Sequence, residues 1–406
     1  ITLRAATPAG LFYASQSLRQ LMPWSVEHGG ALGRRMRIPV GRVSDAPRFG
    51  WRGLMLDIAR HYLPMADVKQ FVDAMALYKL NRLHLHLADD QGWRIDIRAW
   101  PALARIGGST QVGGGPGGFW TQDEYAELVR YAAERFITVV PEIDMPGHSN
   151  AARASYGALN CDGKPVPLYT GTRVDLGNLC ITADSTWRFI GDVVRELAAL
   201  TPGPWLHIGG DEVKGFTRSQ YHGFIERVQD TVRAAGKRMI GWGEIAAARL
   251  DTTTVSQIWI KDSSVVHTRR GGRVIMSFAE HAYLDMKYDS NTVTGLLWAG
   301  AVSVRRSYDW NPATLRPGIG ESAILGVEGP LWGETVTRRS EYEFQAFPRL
   351  IALAEVGWSP QATRRWSDFA ARLGQHGPRL QAIGINFHRA DEIPWARTRS
   401  PRPATY

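Results

Sequence analysis

The chain has 406 residues, of which 44% are hydrophobic and 21% are charged, a composition typical of a globular protein with one large core and room for a smaller unit. It contains no run of about 18 apolar residues, so we expect no membrane span. The formal net charge is +9, but the arginines are scattered and form no dense basic helix, which favours a basic surface over nucleic-acid binding.

Residues 1–46 differ in pattern from the rest of the chain. Residues 10–22, GLFYASQSLRQLM, have apolar side chains at helical spacing, and residues 35–45, RMRIPVGRVSD, are typical of a strand and a connection. One helix with a strand or two buries too little surface to fold alone. We therefore predict that residues 1–46 are the C-terminal remnant of a small α+β domain, packed on a main domain of residues 47–406.

From Trp51 onward the sequence repeats a unit of short apolar strand, loop and amphipathic helix. Strands that alternate with helical crossovers indicate a parallel sheet, and eight such units in about 310 residues predict an α/β fold, the (β/α)8 or TIM barrel. The predicted strands are residues 52–59, 82–90, 136–144, 205–212, 237–244, 253–260, 273–280 and 323–334. The predicted helices are residues 66–80, 122–135, 185–200 and 219–235, with 341–357 and 365–375 closing the barrel.

The stretch WLHIGGDE, residues 205–212, runs from apolar residues through two glycines into Asp211 and Glu212. A continuous apolar run is typical of a strand buried on both faces, and barrel enzymes keep their catalytic groups at the carboxyl ends of the strands. An acidic pair after Gly-Gly also suits the start of a helix. The other strand ends favour the first interpretation.

Most of the predicted strands end in charged residues, and two end in tryptophan. Aromatic faces stack on the C–H surfaces of pyranose rings, and charged groups form strong hydrogen bonds to hydroxyls. The pattern therefore predicts a sugar site at the mouth of the barrel. The residues at these ends are Asp57, Arg60, His86, Asp89, Asp90, Asp144, His148, Asp211, Glu212, Trp242, Trp259, Glu280, Tyr283, Asp285, Trp332 and Glu334.

The two cysteines, Cys161 and Cys180, flank a stretch rich in glycine and proline. A disulfide between them would close a loop of about 20 residues and contribute ~3 kcal/mol of stability by the chain-entropy estimate. Such a bond fits a secreted or otherwise extracytoplasmic protein. Two unpaired thiols in a cytosolic enzyme are the alternative.

Six motifs, RGLMLDIARHYLP, HLHLADDQGWR, VVPEIDMPGHS, HIGGDE, YLDMKY and LWGE, together resemble glycoside hydrolase family 20, the β-N-acetylhexosaminidases. The resemblance extends from Leu3 onward, in order and with compatible spacing. It implies a retaining exo-glycosidase that releases terminal β-linked GlcNAc or GalNAc from chitin fragments or glycoconjugates, without a cofactor or metal. It also implies substrate assistance, in which the 2-acetamido oxygen forms an oxazolinium intermediate.

The resemblance implies a role for each of three residues in the reaction. Glu212 would be the general acid that protonates the leaving oxygen and later activates water. Asp211 would orient the acetamido N–H, and Tyr283 would donate a hydrogen bond to the acetamido oxygen. A neighbouring anion in a partly apolar cavity raises the pKa of a carboxyl group, so we expect the pKa of Glu212 to be raised.

Further residues are implied to hold the sugar or to support the reacting groups. Trp242, Trp259 and Trp332 would enclose the acetamido methyl group, and Trp298 would stack on the next sugar. Arg60, Asp285 and Glu334 would bind ring hydroxyls. Four buried residues would support the site from behind, although a histidine in a barrel interior is more often a satisfied hydrogen-bonding group; they are His86, Asp89, Asp144 and His148.

Two other functions fit parts of the sequence. HLH at a strand end, with nearby aspartates and His148, also suits a metal-dependent barrel hydrolase, but His84 and His86 point to the same side of a strand and core hydrogen bonds can absorb both. A non-catalytic glycan-binding barrel is the second alternative. The sequence departs from the family at Phe136, where members often carry glycine, and at Trp120, where tyrosine is more usual.

Overall fold

The computed structural model describes residues 1–28, 38–260 and 262–396. Eight parallel strands form a closed barrel in the order β1–β8–β7–β6–β5–β4–β3–β2, which confirms the predicted (β/α)8 fold. The observed strands are shorter than predicted because each ends where its backbone leaves the barrel wall. They are β1 (Trp51–Asp57), β2 (Arg82–His86), β3 (Thr138–Glu142), β4 (Trp205–His207), β5 (Arg238–Trp242), β6 (Val255–Ile258), β7 (Arg273–Met276) and β8 (Ile324–Leu331).

Helices surround the barrel and fill the connections between strands. The link between β5 and β6 is an exception, since it contains the 3-10 helix Gly243–Ala247 instead of an α-helix. Among the described helices, none has both the length and the apolar character needed to cross a bilayer. The α-helices are α1 (Pro8–Leu21), α2 (Met65–Leu77), α3 (Gln122–Ala133), α4 (Asn150–Ser155), α5 (Asp184–Leu200), α6 (Arg218–Ala234), α7 (Ser264–Arg269), α8 (Ala279–Ala282), α9 (Val304–Tyr308), α10 (Pro312–Leu315), α11 (Arg339–Ala346), α12 (Arg349–Trp358) and α13 (Trp366–Ala382).

The start of α6 determines the length of the loop that carries the acidic pair. Thr217 and Gln220 form a capping box, in which the Gln220 N–H donates to Thr217 Oγ1 at 3.2 Å and the Thr217 N–H donates to Gln220 Oε1 at 2.8 Å. The helix therefore begins at Arg218. Asp211 and Glu212 lie in the preceding loop, and the alternative of a helix that starts at the acidic pair is wrong.

The barrel interior is layered because alternate residues of each strand point inward. The bottom layer is an apolar cluster that contains Trp51, Val140 and Ile275. The layer above it is polar: Glu328 accepts hydrogen bonds from the Trp51 indole N–H and the Gln257 amide, each at 2.8 Å. A Cβ on Gly53 would lie 2.2 Å from Glu328 Oε2, so the strand must carry glycine there.

The amino-terminal helix α1 packs against the barrel helices. Tyr13 contacts Trp358 edge to face, with ring centroids 5.5 Å apart, and Phe12 contacts Phe136 at 5.4 Å. Phe136 has a φ of 57°, a conformation that favours glycine, and its ring becomes part of this contact.

The strand predicted at 35–45 is absent from residues 38–45, and residues 35–37 lie outside the described residues. The division at residue 46 stays a prediction. Trp120, the second departure from the family, is buried and its indole N–H donates to the Leu63 carbonyl at 3.1 Å.

Candidate active site

The loop after β4 has the most unusual backbone at the mouth. Gly209 and Gly210 have φ values of 63° and 93°, and Glu212, which is not glycine, has a φ of 52°. A Cβ on Gly209 would lie 1.9 Å from Asp144 Oδ1, so a side chain there would displace that carboxyl group. The Gly210 N–H donates to the same oxygen at 3.0 Å, and the Tyr221 hydroxyl donates to the Gly210 carbonyl at 2.5 Å. These contacts explain the Gly-Gly pair of the motif.

A continuous chain of charged contacts leads from Arg60 to Glu212. Arg60 NH2 lies 2.8 Å from Asp89 Oδ2, and His86 Nε2 contacts that oxygen at 2.8 Å. His148 then bridges the gap, with Nδ1 3.3 Å from Asp89 Oδ1 and Nε2 3.4 Å from Glu212 Oε2. Apart from Glu212, whose side chain is 35% exposed, these side chains are almost completely buried.

This chain of contacts holds its members charged. Burial disfavours the imidazolium of His148, but Asp89, Glu212 and Asp211 raise its pKa well above the usual value. Burial also opposes ionisation of Asp89, yet Arg60 and His148 hold the pKa of this carboxyl well below its usual range. The chain is therefore a set of paired charges, and double pairing of this kind offsets the cost of burial.

The expected rise in the pKa of Glu212 is wrong for this structure. The contact with His148 is the largest influence and lowers the pKa of Glu212, whereas partial burial raises it by less. Sequence reasoning considered the neighbouring anion, Asp211, and did not place a cation beside the carboxyl group.

Asp211 lies in the opposite electrostatic surroundings, although it is the next residue in the chain. Burial is the main cause that raises its pKa, and His148, 3.8 Å away, compensates only in part. The Asp144 carboxyl group lies beside it, and burial together with the charge of Asp211 raises the pKa of Asp144 well above its usual value. Two such carboxyl groups can share a proton. Asp211 Oδ1 and Asp144 Oδ2 are both buried without a hydrogen bond of ordinary geometry to another described residue, and the two carboxyl groups contact each other.

Five aromatic rings form a continuous wall beside these acids. Trp242 packs against Trp332 at 5.6 Å between ring centroids, and Trp332 packs against Tyr283 at 6.3 Å. Trp259 lies parallel to Tyr283, at 6.3 Å and 14°, and meets Trp298 edge to face at 5.8 Å. Trp298 is 53% exposed, so the wall extends from the interior to the rim.

Asp285 and Glu334 line the mouth on the loops after β7 and β8. Burial raises the pKa of both groups; the charge of Glu334 adds to the effect on Asp285, while Arg60 opposes it for Glu334. Both oxygens of Asp285 and Oε2 of Glu334 are buried without a hydrogen bond of ordinary geometry to a described residue. Such acceptors suit a ligand that brings hydroxyl donors.

One charged residue of the predicted set does not join the site. The Glu280 side chain is 66% exposed and contacts Arg306 at 3.5 Å on the surface.

Asp90 is buried in the loop after β2, next to Asp89, and its carboxylate accepts the Asn150 N–H at 2.9 Å. Burial, together with the charge of Asp89, raises the pKa of Asp90 to about 6. We assign Asp90 a role in holding the loop.

Sequence reasoning missed two glutamates beneath the wall. Glu142 accepts the Trp242 indole N–H at 2.9 Å and contacts His86 Nδ1 at 2.6 Å. Glu244 accepts the Trp259 indole N–H at 3.0 Å. Glu142 ends β3 and Glu244 follows β5, so their position at strand ends was the available signal.

Several clusters of histidine and carboxylate have the spacing of metal ligands, for example His84, Glu142 and His207. His207 Nδ1 lies 3.0 Å from Glu142, and His84 Nδ1 lies 2.8 Å from Glu328. Glu142 and Glu328 raise the pKa of the buried His84 to about 9, so this histidine supplies positive charge between the two carboxylates, while burial lowers the pKa of His207.

Cys161 and Cys180 form a disulfide that closes a loop against the segment carrying the acidic pair. Asp175 of this loop lies 3.2 Å from Lys214 Nζ, and the Asn178 amide donates to the Lys214 carbonyl at 2.7 Å. Lys214 is two residues from Glu212, so the loop supports the backbone that presents the carboxyl group.

Comparisons with known proteins agree with this arrangement. The family model described as "Glycosyl hydrolase family 20, catalytic domain" matches residues 49–221 and 215–361. The chain is 42% identical over 399 residues to a β-N-acetylhexosaminidase of Cellulomonas fimi, covering 97% of this chain and 79% of that protein. It is 37% identical over 407 residues to a β-hexosaminidase of Porphyromonas gingivalis, covering 93% of this chain and 52% of that protein.

Solved structures are similar over almost the whole chain. A family 20 β-N-acetylhexosaminidase of Streptomyces coelicolor superimposes with a TM-score of 0.93 at 48% identity, covering 95% of this chain and 80% of that one. A mutant β-hexosaminidase of Streptomyces plicatus in complex with its product, GlcNAc, gives a TM-score of 0.93 at 48% identity, covering 96% and 80%.

Proposed function

The chain belongs to glycosyl hydrolase family 20 and is a glycoside hydrolase, and we propose that this β-N-acetylhexosaminidase works by substrate-assisted catalysis with retention of the anomeric configuration. Its substrates would be oligosaccharides that end in β-linked GlcNAc or GalNAc, such as chitin fragments. One observation carries the proposal. Adjacent carboxyl groups, Asp211 and Glu212, have opposite surroundings, one buried beside an aromatic wall and the other partly exposed beside a buried imidazolium.

Glu212 is the general acid of the proposed reaction. It delivers a proton to the glycosidic oxygen as the bond to the anomeric carbon breaks, and it later takes a proton from the attacking water. A sugar that covers the exposed part of the side chain removes water from it and raises its pKa toward the working range. His148 holds the carboxyl group at 3.4 Å and stabilises the anion that remains after proton transfer.

Asp211 and Tyr283 act on the acetamido group of the substrate. The buried carboxyl group of Asp211 accepts the acetamido N–H and stabilises the positive charge that develops as the acetamido oxygen bonds to the anomeric carbon. The Tyr283 hydroxyl donates to that oxygen and aligns it for attack. Trp242, Trp259 and Trp332 enclose the methyl group and exclude water from the intermediate.

The remaining residues fix the sugar ring. Arg60, Asp285 and Glu334 bind the ring hydroxyls, because they present buried polar atoms to the mouth. Trp298 stacks on the sugar that leaves, since its exposed ring stands at the rim.

The experiment that tests this function compares four conditions. Nitrophenol release is measured from β-linked N-acetylglucosaminide, N-acetylgalactosaminide and glucoside conjugates, and the first substrate is repeated with EDTA. We expect turnover of at least one N-acetylated substrate, none of the glucoside, and no effect of EDTA. Equal rates on the glucoside would contradict substrate assistance, and loss of activity in EDTA would favour a metal-dependent hydrolase. Proton NMR of the first product formed identifies the anomer and tests retention.

We also propose an extracytoplasmic location, supported by the disulfide between Cys161 and Cys180. Thiol titration of protein purified from its natural host and denatured without reductant would find no free thiol. Two titratable thiols would favour the cytosolic alternative.

A further inference from the structure

Glu244 lies behind the aromatic wall and has no role in the reaction described above. It belongs to the 3-10 helix Gly243–Ala247 that replaces an α-helix after β5, and its Oε2 accepts the Trp259 indole N–H at 3.0 Å. A Cβ on Gly243 would lie 1.7 Å from Asp262 Oδ2, so the backbone is packed tightly against the next loop at this point. The backbone next to Glu244 is therefore closely packed, and the carboxyl group is held by the indole N–H.

The hydrogen bond fixes the rotation of the Trp259 indole. Its plane is 14° from that of Tyr283 and 78° from that of Trp298. An indole that turned about its side-chain torsions would lose both contacts at once. The orientation of Trp259 therefore controls the position of the Tyr283 ring and the width of the space between the aromatic faces.

The glutamate under Trp242 offers a contrast. Burial opposes ionisation of Glu142, but His207, His86 and His84 lower its pKa well below the usual range. Burial raises the pKa of Glu244 to about 8, and the nearby charges of Asp211 and Asp262 act in the same direction. Below pH about 8 the Glu244 carboxyl group is therefore neutral, and its oxygen accepts the indole N–H. A glutamine amide oxygen can accept the same hydrogen bond.

We propose that Glu244 is a positioning residue, which holds the Trp259 indole so that the aromatic wall fits an N-acetyl group and rejects larger N-acyl groups. This inference rests on the proposed function, because it concerns the pocket for the acyl group. Without the carboxyl group the indole turns, the pocket widens and Tyr283 loses its alignment. The rate on N-acetyl substrates falls, while discrimination against a longer acyl chain weakens.

The test compares Glu244→Ala, Glu244→Gln and Trp259→Phe with the unmodified protein on nitrophenyl N-acetyl- and N-propanoyl-β-glucosaminides. A misplacement of about 1 Å can cost ~10²-fold in rate, so we expect Glu244→Ala to lower kcat/KM on the N-acetyl substrate by about 10- to 100-fold. The N-acetyl to N-propanoyl ratio of kcat/KM should fall at least about threefold, as for one methylene group in a loosened pocket. Glu244→Gln should stay within about threefold of the unmodified protein in both.

Two outcomes of these kinetic measurements on single variants would overturn the proposal. One is an unchanged N-acetyl to N-propanoyl ratio in Glu244→Ala, which would indicate a general loss of structure. The other is a Glu244→Gln variant as impaired as Glu244→Ala. In Trp259→Phe, which removes the N–H donor, adding Glu244→Ala should cause little further loss. Fully additive losses would also contradict action through the indole.

A second measurement does not depend on turnover. The Trp259 indole N–H is observed by ¹⁵N NMR and assigned by its absence in Trp259→Phe. We expect its chemical shift to be kept in Glu244→Gln and changed in Glu244→Ala; an unchanged shift in Glu244→Ala would refute the role of Glu244. Failure of the unmodified protein to cleave any N-acetylated substrate would instead count against the proposed function, and the NMR result would still decide the hydrogen bond.

Discussion

The mouth of the barrel contains two groups of carboxyl groups that differ in their partners. Asp89 and Glu212 face Arg60 or His148, and their pKa values are lowered. In five other carboxyl groups burial outweighs any nearby cation and the pKa is raised; these are Asp144, Asp211, Asp285, Glu244 and Glu334. Asp89 and Glu212 follow β2 and β4, and the groups with raised pKa values follow β3, β4, β5, β7 and β8, so the two groups are interleaved around the mouth.

The fold balances the charges of the first group, whereas three members of the second group, Asp211, Asp285 and Glu334, keep buried oxygens that a ligand can satisfy. Asp89 and His148 satisfy each other and hold Glu212 without help. Asp211 and Asp285 keep buried oxygens without a hydrogen bond of ordinary geometry to a described residue, which costs stability until a donor arrives. A sugar with an N–H and several hydroxyls supplies such donors. Asp211 and Asp285 are therefore expected to contribute to affinity at a cost in stability.

The largest effect on turnover should come from Glu212, the partly exposed carboxyl group that is paired with a cation. We expect Glu212→Gln to lower kcat by about 10²- to 10⁴-fold, the usual scale for a lost general acid, with little change in Tm. Steady-state kinetics on the N-acetylated nitrophenyl substrate measures the loss. The surface variant Glu280→Gln is the matched control and should keep full activity, since its side chain pairs with Arg306 outside the site. Activity of Glu212→Gln within about tenfold of the unmodified protein would remove the residue from this role.

Removal of the shared cation should damage the fold as well as the reaction. Arg60→Met leaves Asp89 and Asp57 buried without their guanidinium partner, 2.8 and 3.3 Å away in the structure. We expect the free energy of unfolding to fall by ~3–5 kcal/mol, measured by urea titration. Arg306→Met breaks only an exposed pair and should cost less than ~1 kcal/mol. Equal losses of unfolding free energy in both variants would mean that Arg60 stabilises its buried carboxyl partners no more than Arg306 stabilises an exposed one.

A carboxyl group without a cation should behave in the opposite way. Asp285→Asn removes an acid that burial keeps from ionising, so stability at neutral pH should be unchanged or higher by ~1 kcal/mol. KM should rise by about threefold to tenfold, because the amide changes the donor and acceptor pattern and a hydrogen bond between neutral groups is lost. Urea titration and kinetics on the same preparation test both statements. A marked loss of stability would mean that Asp285 has a protein partner that balances its charge.

The smallest effect concerns pH. The pKa of Glu244 rises from 4.5 in the unfolded chain to about 8 in the fold. The folded protein therefore binds this proton more tightly, so its contribution to stability is complete below pH about 4.5 and is lost as pH rises through about 8. Glu244→Gln should lose less Tm than the unmodified protein between pH 5 and 8.5, by about 2 °C or more in thermal scans. The same slope in both proteins would contradict the shift.

The sequence predicts the fold and most members of the site because both depend on local patterns. Apolar runs that end in acid mark the strands, and strand ends meet at one mouth in a closed barrel. Charge state depends on residues far apart in the chain, and here the prediction for Glu212 failed. His148 stands 64 positions before Glu212 in the sequence and lies 3.4 Å from it in the fold.

Two further differences have the same origin. Glu142 holds the indole of Trp242, two strands away in the barrel, and Glu244 holds that of Trp259 at the end of the adjacent strand; no periodicity encodes these contacts. Residues 38–45 have a strand-like composition but find no neighbouring strand to pair with in the described chain. A strand needs a partner as well as a propensity.

The disulfide-closed loop beside Lys214 makes the position of Glu212 depend on the redox state of the compartment. Its salt bridge and amide contact reach Lys214, two residues from Glu212, so breaking the Cys161–Cys180 bond would loosen the backbone that presents the proposed proton donor. In a reducing compartment the same polypeptide would keep its barrel and hold its acid less firmly. Protein retained in a reducing compartment, with the disulfide reduced, would then have low activity even when its barrel is folded.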